Sequence, residues 1–144
     1  MGQTLACKSR GFNIQLQLRS SKTIICGDSA TGKTFLFGLL MNAAMDMDNI
    51  YFINYDSVKS KANCKVVIEH IKQAYGQYII MDQADDVQEV DDGIMKAINE
   101  NLKNTYIIIG RAPKLNYCFT DVAEVSIKNN LITLEYLEPP VLEV

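Results

Sequence analysis

Gly27-Asp28-Ser29-Ala30-Thr31-Gly32-Lys33-Thr34 is the stretch of this chain that decides its fold, and it matches the pattern G-x-x-x-x-G-K-[ST] at every specified position. Gly27 and Gly32 permit backbone conformations that a Cβ resists, so successive backbone N–H groups can curl around a phosphate. In this pattern the lysine places a positive charge on the β- and γ-phosphates, and the threonine hydroxyl binds Mg²⁺. The stretch therefore predicts a phosphate-binding loop.

The flanking residues provide the context that such a loop needs. Lys22–Cys26 is a short apolar, β-branched run typical of a buried parallel strand, and Phe35–Met45 is long and apolar enough for a buried helix. The helix would add the positive end of its dipole to the bound anion. A glycine-rich turn that binds nothing is the plainer alternative. The predicted nucleotide contacts are Gly27, Asp28, Ser29, Ala30, Thr31, Gly32, Lys33, Thr34 and Phe35.

Length and composition predict one cytoplasmic domain. The chain has 144 residues, of which 48% are hydrophobic and 22% charged, and we expect a single domain over 1–138 with a short tail over 139–144. It contains no apolar run of roughly 18–20 residues and begins without the apolar core of a signal peptide. We therefore expect a cytoplasmic protein with no membrane contact. Its four cysteines are scattered, which argues against zinc and disulfides.

The net charge of −3 argues against non-specific binding of nucleic acid, because such binding needs clustered basic residues on the protein. The N-terminal portion is nevertheless basic, whereas 82–92 is dense in carboxylates. A solvated hairpin and an acidic helix start are the plain interpretation of this asymmetry. Nucleic acid is thus a weaker alternative among the partners.

Strand patterns alternate with helix patterns along most of the chain. Strands are predicted at 12–18, 22–26, 50–54, 78–82 and 105–109, with helices after 34, over about 64–75 and from Asp86. The first two strands are expected to form a hairpin, as are 122–127 and 131–137. This order predicts an α/β fold with a mostly parallel sheet covered on both faces. The glycine loop, Asp82 and Gly110-Arg111 would then meet at one sheet edge.

With Asp82 at the end of an apolar strand, the chain resembles the P-loop NTPases. Within them it resembles the additional-strand branch that holds the AAA-type, ABC and STAND ATPases, over roughly Lys22 to Arg111. The resemblance implies a three-layer P-loop NTPase fold with ATP and Mg²⁺ as cofactors. The loop would be the Walker A motif and Asp82 the Walker B aspartate, which shares Mg²⁺ with Thr34. Arg111 would sense the γ-phosphate, or alternatively solvate a loop.

The chain departs from that branch at Gln83, where a glutamate usually activates the attacking water. A glutamine can orient water but cannot take its proton at neutral pH. Asp85 can substitute for it, so the predicted catalytic residues are Lys33, Gln83, Asp85 and Arg111. The ABC signature and the helical lid of AAA proteins are both missing. Binding is therefore expected more firmly than hydrolysis.

These residues predict a Mg-dependent ATP-binding protein that is a weak or partner-stimulated ATPase and serves as a nucleotide-state switch. One alternative is an adaptor that binds nucleotide without hydrolysing it. Another is a small-molecule or nucleotide kinase with Asp56 as its base. The nucleotide base is not readable, although the chain contains no Asn-Lys-x-Asp guanine signature. A protein partner or a second copy would receive the output, with the apolar tail Val141–Val144 as one candidate docking segment.

Overall fold

The protein is described by a computed structural model that covers residues 3–27, 32–44, 47–110 and 121–137. Eight strands and four α-helices lie within these residues, together with a 3₁₀ helix over Tyr55–Val58. The strands are β1 (Gln3–Ser9), β2 (Phe12–Leu18), β3 (Lys22–Ile25), β4 (Ile50–Ile53), β5 (Tyr78–Met81), β6 (Thr105–Ile109), β7 (Asp121–Lys128) and β8 (Leu131–Tyr136). The α-helices are α1 (Lys33–Ala43), α2 (Lys61–Gln73), α3 (Ala84–Val90) and α4 (Gly93–Glu100). The predicted tail over 139–144 lies outside the described residues.

The predicted fold class, a mostly parallel three-layer α/β sheet, was wrong. The described strands form one mixed sheet in the order β1-β2-β8-β7-β3-β6-β5-β4, which curls into a half-barrel. Strand β1 is antiparallel to β2, and β7 is antiparallel to β8. The strand at 12–18 was predicted correctly as β2, but β1 was not predicted, nor was its antiparallel pairing with β2.

The N-terminal hairpin was also assigned to the wrong strands. Strand β2 pairs with β1 rather than with β3, and its other neighbour is β8, which runs parallel to it. Arg10 (φ 49°) and Gly11 (φ 85°) supply two adjacent positive-φ residues at the β1–β2 turn, which is the requirement of a tight hairpin turn. The C-terminal hairpin is confirmed, with Asn129 at φ 57° in its turn.

Helices pack on both faces of the five strands β7, β3, β6, β5 and β4, which run parallel to one another. Helices α2, α3 and α4 cover one face, where Ile24 and Ile108 are buried. Helix α1 and the β1–β2 hairpin cover the opposite face, where Ile25 and Ile107 are buried. Neighbouring residues of β3 and β6 thus alternate between two cores, one on each face of the sheet.

One predicted helix is divided into two. The sequence predicted a single helix with Asp86 as its cap, but α3 follows Gln83 as its N-cap and ends at Val90. Helix α4 begins at Gly93, whose backbone N–H donates to Asp91 Oδ1 at 2.8 Å. The short polar side chain of Asp91 thus bonds the backbone locally and interrupts the helix. Within the described parts of the chain, no helix combines the length and apolarity needed to cross a membrane.

Candidate functional site

Parallel register brings the ends of three neighbouring strands to one edge of the sheet. Ile25 of β3 is level with Ile109 of β6, and Ile108 is level with Met81 of β5. Ladder bonding continues one residue further, because Gly110 N–H donates to Ile25 O at 3.0 Å. The predicted convergence of Gly27, Asp82 and Gly110 on one edge is therefore confirmed. Arg111 lies outside the described residues.

The glycine loop is described at its two ends, whereas Asp28, Ser29, Ala30 and Thr31 lie outside the described residues. Gly27 (φ 121°) and Gly32 (φ 89°) both have positive φ, which only glycine adopts without strain. Helix α1 begins at Lys33, directly after Gly32, and the carbonyl of Gly32 accepts from the Leu36 N–H at 2.9 Å. Both glycines are thus placed where the loop needs unusual backbone angles.

The side chain of Lys33 folds back over the start of the loop. Its Nζ donates to the carbonyl oxygen of Gly27 at 2.5 Å, and the residue is half-buried. The next two residues are exposed, which leaves the Thr34 hydroxyl and the Phe35 ring open to solvent. A cation and a hydroxyl therefore stand at the first turn of α1, as the motif predicted.

Asp82 is a buried carboxyl at the end of β5, with 7% of its surface exposed. Burial raises its pKa above the ordinary aspartate value, and the charge of Asp85 acts in the same direction. A hydrogen bond of 2.9 Å from the Gln83 N–H to Oδ1 opposes this effect, as does the positive charge of Lys33. Asp82 and Lys33 therefore share one electrostatic environment, although they are far apart in the sequence.

The oxygens of Asp82 and Thr34 fit the needs of Mg²⁺. In phosphate sites this ion binds one or two protein oxygens and completes its octahedron with phosphate and water. A carboxylate and a hydroxyl are hard ligands of that kind. Together with a triphosphate, they can supply the donor set that the sequence predicted.

Gln83 and Asp85 lie at the junction of β5, β6 and α3. Gln83 is exposed and has a left-handed backbone (φ 53°, ψ 44°) that non-glycine residues rarely adopt. A Cβ on Gly110 would lie 3.2 Å from Asp85 Oδ1 and 3.2 Å from Ala84 Cβ. The end of β6 is therefore pressed against the start of α3, a contact that sequence reasoning did not predict.

Sequence reasoning also missed the C-terminal hairpin as a neighbour of the loop. A Cβ on Gly32 would lie 3.0 Å from Ile127 Cδ1 of β7. Glu124 of the same strand acts on Cys26, whose pKa is raised by burial first and then by the charge of Glu124. The parallel pairing of β7 with β3 is a long-range contact, and nothing in the local pattern of either strand identifies its partner.

Asp56, the base of the alternative kinase hypothesis, lies in the 3₁₀ helix after β4. Its carboxylate bonds the Lys59 ammonium at 2.8 Å, and its side chain is 79% exposed. Asp56 is therefore a surface residue next to β4, the outermost strand on that side of the sheet.

The candidate site lies at the ends of β3, β5 and β6. The residues found there are Gly27, Gly32, Lys33, Asp82 and Gly110. Gln83 and Asp85 follow Asp82 on the β5 side of the edge. No protein-family model matches this chain, and no curated protein matches it.

Proposed function

We propose that this chain is a Mg-dependent ATP-binding protein of the cytoplasm, and a weak or partner-stimulated ATPase that acts as a nucleotide-state switch. The observation that carries the proposal is a shared edge of the sheet: the half-buried Lys33 bonds the Gly27 carbonyl beyond β3, and the buried Asp82 follows β5. A cation at the glycine loop and a buried carboxyl two strands away thus lie at the same edge of the sheet. Phosphate and Mg²⁺ need those two charges side by side.

The binding step uses the two ends of the loop and the first turn of α1. Positive φ at Gly27 and Gly32 lets the loop present backbone N–H groups to the phosphates, and the N-terminus of α1 adds its positive dipole end. The ammonium of Lys33 would exchange the Gly27 carbonyl for phosphate oxygens. Thr34 and Asp82 would hold Mg²⁺ between the β- and γ-phosphates.

The place of β6 supports the resemblance to the additional-strand branch. This strand lies between β3 and β5, so its end stands between the phosphate loop and Asp82. Gly110 follows the strand, and a Cβ at this position would meet Ala84 and Asp85. We propose that the next residue, Arg111, reports on the γ-phosphate, and that its neighbours transmit the change to α3.

Hydrolysis is proposed to be slow because of Gln83. Its amide can orient a water molecule but cannot accept the proton that the water loses. Asp85 lies one residue beyond Ala84 on the same junction and is half-exposed, so it is the candidate proton acceptor. A partner protein or a second copy would accelerate the reaction by adding a group to this open edge.

The experiment is the release of γ-phosphate from Mg·ATP by the purified chain, beside Lys33→Ala and Gln83→Glu. We expect slow release that Lys33→Ala abolishes and Gln83→Glu increases by tenfold or more, since general-base catalysis contributes roughly 10²–10⁴-fold. Binding that depends on Lys33 without any release would instead support the adaptor, which the amide at position 83 favours. Release that is equal in the wild type and in Lys33→Ala would contradict the proposal.

A further inference from the structure

Two exposed apolar side chains lie beside the phosphate loop. Phe35 on α1 is 46% exposed, and Ile127 on β7 is 40% exposed. Ile127 Cδ1 is 3.0 Å from the position of a Cβ on Gly32, while Phe35 follows Gly32 by one turn of helix. We call these two side chains the apolar platform. Each borders Gly32, the residue at which the loop joins the helix.

The platform is held from behind. The rings of Phe12 and Phe35 meet edge to face with centroids 5.2 Å apart. Phe12 is itself half-buried against the core that lies under α1. An edge-to-face contact with an anchored ring restricts the rotation of Phe35, although almost half of its surface remains in solvent. The exposed part of the Phe35 ring is therefore held in a restricted orientation before any ligand binds.

The sheet order decides which end of a bound triphosphate would meet the platform. Asp82, directly after β5, and Asp85, in the first turn of α3, lie on one side of β3 and would define the Mg²⁺ and γ-phosphate end. Strand β7 lies on the opposite side of β3, and Ile127 stands on it beside Gly32. A polyphosphate with its γ-phosphate on the β5 side of β3 would therefore have its other end on the β7 side.

Charge at the rim of the platform suits a nucleotide. Arg10, in the β1–β2 turn two residues before Phe12, is exposed, and so is Lys128 beside Ile127. Together with Lys33 at the start of α1, these cations lie on the chain segments that carry Phe35, its partner Phe12 and Ile127. A ligand that combines several negative charges with a flat aromatic group complements this arrangement.

We propose that the Phe35–Ile127 platform binds the base of a nucleoside triphosphate and does so without selecting among bases. This inference rests on the proposed function and adds a second subsite to it. Stacking tolerates every base because every base has a π-face. Discrimination by orders of magnitude requires buried polar groups built to pair with one base, whereas the platform is apolar and open. ATP, GTP and CTP are therefore expected to bind with affinities within about tenfold of one another.

Equilibrium binding of Mg·ATP, Mg·GTP, Mg·CTP and Mg·tripolyphosphate separates the two subsites, because tripolyphosphate has no base. Phe35→Ala is expected to weaken the three nucleotides by roughly tenfold and to leave tripolyphosphate unchanged. Met41→Ala is the matched control, since Met41 lies on the same helix with 45% exposure. It should change none of the four affinities.

A second variant reports on the base directly. The chain contains no tryptophan, so Phe35→Trp introduces a single indole at the platform. Mg·ATP and Mg·GTP should both quench or shift its fluorescence at saturation, whereas saturating Mg·tripolyphosphate should leave the spectrum unchanged.

Three results would overturn the inference while the proposed function stands. They are equal loss of tripolyphosphate and nucleotide binding in Phe35→Ala, an unchanged indole spectrum with bound ATP, or discrimination between ATP and GTP beyond a hundredfold. The failure of the proposed function looks different. In that case the wild type binds neither tripolyphosphate nor any nucleotide.

Discussion

The Lys33 ammonium donates a hydrogen bond to the carbonyl oxygen of Gly27 at 2.5 Å, so the first residue of α1 is tied to the first residue of the glycine loop. This bond joins a cation to a neutral acceptor in a half-buried place. Phosphate oxygens carry full charge and would compete for the same ammonium. Nucleotide binding in our account therefore begins with an exchange of partners at Lys33.

Removal of the charge from Asp82 should stabilise the nucleotide-free protein at neutral pH. Burial raises the pKa of Asp82 in the folded state, so this group contributes stability below the ordinary aspartate pKa, and that stability is lost as pH rises through the raised value. Asp82→Asn should escape that loss and retain an acceptor for the Gln83 N–H. We expect a melting temperature a few degrees above that of the wild type at pH 7.

Thermal unfolding between about pH 3 and pH 8 in the absence of Mg²⁺ measures this effect. The difference between Asp82→Asn and wild type should shrink towards about pH 3, below the ordinary pKa of aspartate. Asp48→Asn, at an exposed position, is the control and should show no such trend. A difference that is constant with pH, or a less stable Asp82→Asn at pH 7, would refute the role of burial.

The same variant should lose the Mg²⁺ dependence of nucleotide binding. In the wild type we expect chelation of Mg²⁺ to weaken ATP binding by tenfold or more, because Asp82 and the phosphates would otherwise share the ion. In Asp82→Asn the affinity should be low with or without Mg²⁺. Titration of ATP in Mg²⁺ and in EDTA tests this, and an unchanged response to Mg²⁺ would remove Asp82 from the metal site.

Gln83 holds a backbone conformation that glycine would adopt more easily. Its φ of 53° places it in the left-handed region, which costs a residue with a Cβ about 1–2 kcal/mol. Gln83→Gly should therefore raise the free energy of unfolding by about 1 kcal/mol while it removes the amide that we propose orients water. Lys96→Gly, in the exposed middle of α4, should lower that free energy by about 1 kcal/mol.

Chemical denaturation of both variants measures whether each substitution raises or lowers the free energy of unfolding. If Gln83→Gly destabilises the chain as Lys96→Gly does, the left-handed conformation is not strained in solution. If Gln83→Gly has a higher free energy of unfolding and also releases phosphate more slowly, the wild-type glutamine costs stability but contributes to activity.

The sequence was sufficient where the chemistry is local. The strand at 22–25, the positive φ of Gly27 and Gly32, and α1 follow from one motif with its flanks. The apolar runs of β5 and β6 locate Asp82 and Gly110 just after strand ends. The strand β1 was missed because only Leu5 and Ser9 of its residues are buried, which gives a weak alternating pattern. Sheet order was missed because strand partners are long-range choices. The left-handed Gln83 escaped notice because its conformation is imposed by the turn from β5 into α3.

Gly110 should not tolerate a side chain, in contrast to another glycine of the chain. A Cβ at Gly110 would press on Ala84 Cβ and Asp85 Oδ1, each at 3.2 Å, whereas a Cβ at Gly38 would have nothing within 4 Å. Gly110→Ala should therefore displace the start of α3 and cost roughly 1–3 kcal/mol. Gly38→Ala lies inside α1 and should instead stabilise the chain by up to about 1 kcal/mol.

Melting temperature and phosphate release should separate these two variants. We expect Gly110→Ala to lose both stability and activity, since Asp85 moves with α3, and Gly38→Ala to retain its activity. A Gly110→Ala variant with wild-type turnover would show that the contact between β6 and α3 does not position the residues proposed to activate water.

Equilibrium binding of Mg·ATP to the wild type and to Lys33→Ala tests the central claim most directly. Lys65→Ala, which removes an exposed charge from α2, is the control. Our account predicts that the wild type and Lys65→Ala bind with similar affinity and that Lys33→Ala loses a hundredfold or more, since a charge-assisted bond to phosphate is lost in a half-buried site. Equal binding by all three proteins, or binding by none, would contradict the assignment of the glycine loop as a nucleotide site.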